Sequence, residues 1–214
     1  MSTTKPHRRL RLAGFGLIAG AAVSPRLRKG LGFLGLVALV GAWWWRKRER
    51  LVPPTALLAG MPVPDGSHIV EIGAGEFPWL AAIGRLGQGL TVHAVSGTVP
   101  GAASMADWQQ QIQGHVRHLQ SHTRFEAVTA DARTLPLQDR VAQLVILHEV
   151  LERYVSRESR RQAVFDAARI LAPGGRMLIG EPRFISEAAA ALTEAGLSVT
   201  AETGGWLTAT KPWS

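Results

Sequence analysis

The sequence has no cysteine among its 214 residues. This absence excludes a disulfide framework, a zinc site made of thiolates and a cysteine nucleophile, and it leaves the redox compartment open. Charged residues are also scarce, at 19%, whereas hydrophobic residues make up 46%. The chain is therefore too apolar to be disordered, and its length allows one ordinary domain with an appendage but little room for a second domain.

Acidic residues are nearly missing from positions 1–50, which hold eleven Lys and Arg but only one acid, Glu49. This stretch carries a formal charge of +10, and the remainder of the chain carries −2. A nucleic-acid-binding domain needs a basic face on its folded part, and the part that is expected to fold is slightly acidic. We therefore expect no nucleic-acid partner.

Two apolar runs lie within the basic stretch, Leu12–Val23 and Leu31–Trp45, and Lys or Arg residues flank both. As a helix the second run would be about 22 Å long, which is short of a roughly 30 Å hydrocarbon core, although its three final tryptophans suit a membrane interface. A basic cluster follows these tryptophans where a signal peptide would have a cleavage site. We interpret residues 1–50 as a membrane anchor of one or two short helices.

The topology of this anchor stays open. It could be a transmembrane helix oriented against the charge bias, a short re-entrant hairpin or an in-plane amphipathic layer. Glycines in the first run would also permit close contact with the helices of a partner membrane protein. A further alternative is that both runs are core helices of a soluble domain.

Residues 51–66 are rich in proline and predict a linker, and residues 67–214 predict a folded domain whose first strand begins at His68. Short apolar segments alternate there with amphipathic segments of helical length. The predicted strands are HIVEIG, LTVHAV, FEAVTA, VAQLVIL, RMLIGEP, LSVTAET and WLTATKP, and the predicted helices cover about 78–86, 104–121, 156–171 and 185–196. The alternation indicates an α/β fold with a Rossmann-like, mostly parallel seven-stranded sheet, helices on both faces and an antiparallel final pair of strands.

In such a sheet, ligands bind beyond the carboxyl ends of the strands, so the residues that end each strand are the candidate site residues. Gly73 and Gly75 end the first strand and permit a tight turn that a ligand can approach closely, although a tight turn without a ligand fits them too. The groups that could do chemistry follow the fourth and fifth strands: His148, Glu149, Glu181 and Arg183. The segment HEVLE lacks the second histidine of a zinc-binding HExxH motif, so we expect no metal.

Four blocks, HIVEIGAGEF, TADARTLPL, LVILHEVLER and ILAPGGRMLIGEP, occur in the order and spacing found in class I S-adenosylmethionine-dependent methyltransferases. From about Ser67 to Pro212 the chain resembles this family, and its pattern is most similar to that of the small-molecule, quinone and lipid methyltransferases. The resemblance implies S-adenosylmethionine as the cofactor. The cofactor-binding residues that it implies are Glu71 at the methionine end, Gly73 and Gly75 in the loop, Ser96 at the ribose position, and Asp131 with Ala132 at the adenine.

The chain departs from the family pattern at three positions. Phe77 replaces the usual third glycine, Ser96 replaces the acid that holds both ribose hydroxyls, and Gln143 replaces an aspartate at the start of the fourth strand. These departures leave two functional hypotheses.

The first hypothesis is a methyltransferase that is anchored at the cytoplasmic face of the inner membrane and methylates a lipid or another hydrophobic small molecule such as an isoprenoid quinone. His148 would be its base and Glu149 a second catalytic candidate. The alternative is a catalytically silent methyltransferase-like subunit that docks in a membrane protein complex.

Overall fold

A computed structural model describes residues 54–59, 61–75, 79–97, 104–117 and 122–213. The anchor predicted at residues 1–50 and the bulky Phe77 lie outside these ranges, so the expectations about them stay predictions. Within the described ranges, no helix is long and apolar enough to cross a membrane.

Alternation of strands and helices is confirmed throughout the domain. The elements in chain order are α1 (Pro54–Leu58), β1 (His68–Ile72), α2 (Leu80–Ile83), β2 (Thr91–Ser96), α3 (Met105–Val116), β3 (Arg124–Thr129), β4 (Ala142–His148), a 3-10 turn (Leu151–Arg153), α4 (Arg157–Ile170), β5 (Leu171–Gly180), α5 (Ile185–Glu194), β6 (Ser198–Thr203) and β7 (Trp206–Thr210). Strand β5 starts five residues before the predicted RMLIGEP segment, because Leu171 already pairs with Ala142 of β4, and an irregularity at Gly174, whose φ is +73°, separates this pair from the next one at Arg176.

The strands form one seven-stranded sheet in the order β3-β2-β1-β4-β5-β7-β6. Strands β1 to β5 pair in parallel, and β7 is antiparallel to both β5 and β6. The predicted antiparallel final pair is therefore confirmed. The order reverses direction between β1 and β4, and this is where a crevice forms at the carboxyl ends of a parallel sheet.

Helices cover both faces of the sheet, as predicted. One hydrophobic cluster joins α4 and α5 to side chains such as Val70 and Ile179, and the other joins α1, α2 and α3 to side chains such as Ile69 and Leu144. Serine caps begin two of the longer helices, since Ser104 Oγ accepts the Asp107 N–H at 3.1 Å and Ser156 Oγ accepts the Ser159 N–H at 3.0 Å.

The segment predicted as a linker contains structure of its own. Helix α1 lies inside residues 51–66, and its Leu58 is buried in the same cluster as Ile69. The packed part of the chain thus begins at least ten residues before His68, because Leu58 finds an apolar partner surface that the local proline content does not reveal.

Candidate functional site

The carboxyl ends of the parallel strands bring the predicted site residues to one edge of the sheet. Ile72 pairs with Val95 on β2 and with Leu147 on β4, and His148 pairs with Gly180 on β5. The residues that follow these positions are therefore neighbours, although paired residues such as Ile72 and Leu147 are 75 positions apart in sequence.

Gly73 makes a sharp turn directly after β1. Its φ is +95°, and its N–H and that of Ala74 both donate to the Val95 carbonyl, at 2.9 and 3.1 Å. A Cβ at Gly73 would lie 2.2 Å from the His148 carbonyl oxygen and 2.8 Å from Val150 Cγ2. The packing of the chain itself therefore requires glycine at position 73.

Gly75 differs from Gly73 in its surroundings. The nearest described atom to a Cβ at this position is the Gly73 carbonyl oxygen, 3.9 Å away, which is an ordinary contact. The described neighbours thus do not require a glycine here, whereas a ligand lying against the backbone would require one.

Glu71 is a fully buried carboxyl two residues before the turn. It lies in β1 with an exposure of 0%, and neither of its oxygens accepts a hydrogen bond from a described residue. Burial raises its pKa to about 8. An isolated carboxyl in an apolar interior is costly, so an amino group supplied by a ligand would stabilise its charged form.

Ser96 ends β2 and is buried. Its carbonyl accepts the Ala130 N–H at 3.0 Å, which joins the ends of β2 and β3. A carboxylate accepts from the two ribose hydroxyls with two charged oxygens, whereas a serine offers a single uncharged oxygen. Ser96 would therefore supply a weaker ribose contact than an acid at this position.

Asp131 follows β3 and is held by two side chains. Arg133 donates from its backbone N–H to Oδ1 at 2.9 Å and from Nη2 to Oδ2 at 2.6 Å, and the Tyr154 hydroxyl donates to Oδ1 at 2.7 Å. These bonds, chiefly those from the Arg133 side chain, hold the pKa of Asp131 well below its usual range. Burial raises the pKa of the Tyr154 hydroxyl to about 12, and the backbone of Ala132 lies close enough to this hydroxyl to oppose that larger effect and lower the pKa.

The Tyr154 hydroxyl thus lies beside the two groups that the resemblance assigns to the adenine, which are the Asp131 carboxylate and the Ala132 backbone. Both oxygens of Asp131 already accept hydrogen bonds within the chain. An adenine amine would share Asp131 with Arg133 or displace Tyr154.

His148 lies among aromatic rings at the end of β4. Its ring stacks on Trp206, with the centroids 5.2 Å apart, and meets the edge of Trp79 at 6.3 Å. The two indoles are themselves 4.8 Å apart. Both are buried while His148 is half-buried, so the candidate base stands at the border of an apolar wall.

Glu149 and Glu181 continue this edge of the sheet. Glu149 has a φ of +52°, and its N–H donates to the Gly180 carbonyl at 3.3 Å. Glu181 is fully buried, and its Oε1 accepts the backbone N–H groups of Val150 and Leu151. Burial raises the pKa of Glu181 to about 7.

Arg183 forms an ion pair with Glu152, since its Nη1 lies 3.2 Å from Glu152 Oε2.

In the part of the chain that the structure describes, no three His, Asp or Glu residues lie close enough together to hold a metal ion. The described groups that could do chemistry at this edge of the sheet are acids, one imidazole and backbone groups.

A family model for a methyltransferase domain matches residues 70–179, just over half of the chain. The chain belongs to the class I S-adenosylmethionine-dependent methyltransferases. The match begins within β1, ends within β5 and includes every candidate site residue except Glu181 and Arg183. No curated protein sequence matches the chain.

Solved structures share the methyltransferase fold at low sequence identity. A SAM-dependent methyltransferase from Aquifex aeolicus is 16% identical with a TM-score of 0.56, over 76% of this chain and 92% of that one. A SAM-dependent methyltransferase from Methanosarcina mazei is 11% identical with a TM-score of 0.57, over 72% and 96%. The [4+2]-cyclase SpnF is 18% identical with a TM-score of 0.53, over 75% and 80%.

Sequence reasoning placed the strand-end residues of this methyltransferase but missed their partners. The missed side chains are Trp79, Arg133, Tyr154 and Trp206. Arg133 could have been found as a base two residues after an acid in a turn. The other three reach the site only through the fold, and the sole local hint is that Tyr154 is the chain's single tyrosine.

Proposed function

We propose that this methyltransferase binds S-adenosylmethionine beyond β1 and β2 and methylates a membrane-resident small molecule, of the lipid or isoprenoid-quinone type, at the cytoplasmic face of the inner membrane. The observation that carries the proposal is Glu71, a buried carboxyl without a described partner, next to a turn in which Gly75 leaves the backbone open. A cationic ligand that lies along this turn would supply the missing partner.

The residues present fit the cofactor at its methionine end better than at its nucleoside end. Glu71 would accept the ammonium group, and Gly73 and Gly75 would let the ligand approach the backbone. Ser96 would hold one ribose hydroxyl. Asp131 and Ala132 would hold the adenine only with a rearrangement of Tyr154, because its hydroxyl already contacts both.

The bound cofactor would supply an electrophilic methyl group on a sulfonium. The chain's own residues have three tasks, which are to hold the acceptor atom in line, to exclude water and to remove a proton. His148, through Nδ1 or Nε2, or Glu149 would accept the proton of the methyl acceptor. His148 is placed for this role beside the apolar wall of Trp79 and Trp206.

The membrane-resident acceptor is supported by the sequence and by the short connection after β5. The basic and apolar residues 1–50 are typical of a membrane-associated segment. Only four residues separate the end of β5 at Gly180 from the start of α5 at Ile185, so this connection contains no inserted lid. A bilayer surface would form the missing wall for an apolar acceptor.

Calorimetry of the full chain with S-adenosylmethionine and with its demethylated product S-adenosylhomocysteine tests the proposal. We expect binding of both, and we expect Asp131→Ala to weaken it about tenfold through the loss of a charge-assisted hydrogen bond. Asp139→Ala is the matched control, because this exposed acid lies in the turn before β4 and pairs with Arg169. Absence of heat with millimolar ligand would refute cofactor binding, and an unchanged affinity in Asp131→Ala would remove that residue from the site.

A second candidate function is a catalytically silent subunit that docks in a membrane protein complex. The engagement of Asp131 by Arg133 and Tyr154 favours it, because the chain itself then satisfies the groups that a cofactor would use. Extraction of the full chain in mild detergent distinguishes the two candidates. A stoichiometric complex that binds no S-adenosylhomocysteine supports the silent subunit, and a solitary chain that binds the ligand supports the enzyme.

A further inference from the structure

Glu181 is a fully buried acid to which the proposed reaction assigns no role. It is the first residue after β5, and its exposure is 0%. The strand end before it is tightly packed, since a Cβ at Gly180 would lie 2.3 Å from the Trp206 ring. The packing of Gly180 against Trp206 therefore fixes the backbone position from which the Glu181 side chain extends.

One oxygen of Glu181 caps the segment that follows β4. Oε1 accepts the Val150 N–H and, at 2.9 Å, the Leu151 N–H. These groups begin the 3-10 turn Leu151–Arg153, and Val150 at its start has no side-chain acceptor for them. An acid from the neighbouring strand thus satisfies donors that a local cap would otherwise satisfy.

The capped segment forms a wall of the glycine turn. The His148 carbonyl and the Val150 side chain face Gly73 so closely that no Cβ would fit. Glu149, between them, has a φ of +52°, in the left-handed region that residues with a Cβ seldom adopt. Such a conformation persists only where its surroundings hold it, and the two bonds to Glu181 hold the residues directly after it.

The second oxygen of Glu181, Oε2, takes no part in capping the 3-10 turn. Oε2 is buried and accepts no hydrogen bond from any residue that the structure describes. Two backbone N–H groups need only an acceptor oxygen, which a glutamine would also provide. The carboxyl adds a group that titrates inside the wall of the site.

Several charged or titratable groups surround this carboxyl. Burial raises the pKa of Glu181 to about 7, the bonds from the backbone lower it, and the charges of Glu152 and Glu149 raise it. Arg183 forms an ion pair with Glu152, with Nη1 3.2 Å from Oε2, and His148 at the end of β4 stacks on the Trp206 ring. Glu181 is therefore expected to gain and lose its proton near neutral pH.

We propose that Glu181 is a positioning residue of the methyltransferase site. Its carboxylate accepts the Val150 and Leu151 N–H groups and so keeps residues 148–151 packed against the glycine turn, and protonation of the carboxylate weakens these hydrogen bonds. A carboxylate is a stronger acceptor than a neutral carboxyl, so the hold tightens as pH rises. This inference rests on the proposed function, because the glycine turn is the place where S-adenosylmethionine would bind. Cofactor affinity should consequently rise with pH.

Backbone amide NMR shifts of Val150 and Leu151 in the full chain test the hold directly. We expect both shifts to titrate with a midpoint of about 7 in the wild-type chain and to stay flat in Glu181→Gln, which keeps the acceptor and loses the proton. Glu158→Gln is the matched control, because that acid is 74% exposed and should leave both titrations unchanged. Flat shifts in the wild-type chain, or a titration that persists in Glu181→Gln, would overturn the proposal.

The affinity for S-adenosylhomocysteine tests the consequence for the site. We expect the affinity to rise from pH 6 to pH 8 in the wild-type chain and in Glu158→Gln. The rise should be about fivefold smaller in Glu181→Gln, where only the deprotonation of Glu71 still contributes to it. A purely structural cap would lower the affinity equally at both pH values, and that result would also overturn the proposal. A wild-type chain that binds no S-adenosylhomocysteine at any pH refutes the proposed function, and the amide titration then decides by itself whether Glu181 holds the segment.

Discussion

At the scale of single residues, the site contains two buried carboxyls whose protons stabilise the folded state. The pKa of Glu71 rises to about 8 and that of Glu181 to about 7, in both cases chiefly because burial disfavours the charged form. The unfolded chain releases these protons near pH 4.5, so between that pH and neutrality the folded state binds more protons than the unfolded state. The stability that both groups contribute is therefore full below about pH 4.5 and is lost as pH rises toward their folded pKa values.

Glu71→Gln should remove one of these pH dependences. The free energy of unfolding of the variant should exceed that of the wild-type chain by an amount that grows by about 1.4 kcal/mol per pH unit between pH 5 and pH 8. Urea unfolding at pH 5.5 and pH 7.5 measures this difference. A difference that does not change with pH would show that Glu71 is not a titrating buried acid. Glu181 contributes equally to both chains and cancels from the comparison.

The two glycines of the turn should respond differently to alanine. Gly73→Ala combines a positive φ with a Cβ only 2.2 Å from a carbonyl oxygen, and we expect it to destabilise the fold by about 2–4 kcal/mol. Gly75→Ala meets no described atom closer than 3.9 Å, so it should cost under about 1 kcal/mol while it weakens the binding of S-adenosylhomocysteine. Thermal unfolding and calorimetry on both variants measure this contrast, and equal destabilisation would contradict it.

At the scale of elements, helices α4 and α5 are joined through Arg160. Its guanidinium is only 11% exposed, lies 3.0 Å from Glu187 on α5 and packs over the Phe184 ring at 4.3 Å. Nη1 also donates to the carbonyls of Tyr154 and Val155, at 2.9 and 3.0 Å. One side chain thus fixes the start of α4, the start of α5 and the loop that carries Tyr154 to Asp131.

Arg160→Ala should destabilise the fold by about 2–4 kcal/mol, because it leaves a half-buried carboxylate and two carbonyls without their donor. Arg161→Ala is the matched control on the same helix. Arg161 is 37% exposed and pairs with Glu194, which is 54% exposed, so solvent screens the pair and removal of Arg161 should destabilise the fold clearly less than removal of Arg160. Urea unfolding of both variants measures the difference, and similar losses would show that Arg160 does not link the two helices.

At the scale of the whole molecule, charge and hydrophobicity are divided between two parts of the chain. Residues 1–50 carry +10 and two apolar runs, and the remainder carries −2. Among the residues that the structure describes, the first element is α1 at Pro54, so few positions of the sequence separate it from the basic stretch. Such a division predicts that membrane association is a property of the first stretch alone.

Cell fractionation tests this division. The full chain should stay with membranes through a wash at high salt, because inserted apolar residues are not screened by ions, whereas a chain that begins at Val52 should remain in the supernatant. Release of the full chain by salt would indicate surface attachment through Lys and Arg only. Pelleting of the shorter chain would place a membrane-binding surface on the folded domain.

Local sequence was enough to predict the elements and the class of fold. Short, nearly continuous apolar segments such as HIVEI and AQLVILH are typical of strands that are buried on both faces. Serines at positions 104 and 156 indicate the starts of helices. The turn at Gly73 was also visible, because a glycine pair directly after a strand is a local signal. These features depend on the properties of neighbouring residues, which the sequence contains by itself.

Only the tertiary structure decided which side chains the site residues contact. Asp131 meets Tyr154 from 23 positions away, Glu181 meets Val150 from 31, and His148 stacks on Trp206 from an antiparallel strand at the end of the chain. The contacts of Glu181 and His148 follow from the order β4-β5-β7 and from the register of these paired strands. Periodicity within a segment shows which face of a strand is buried, but it carries no information on which strand lies beside it, and so the partners of the strand ends emerge only when the sheet is assembled.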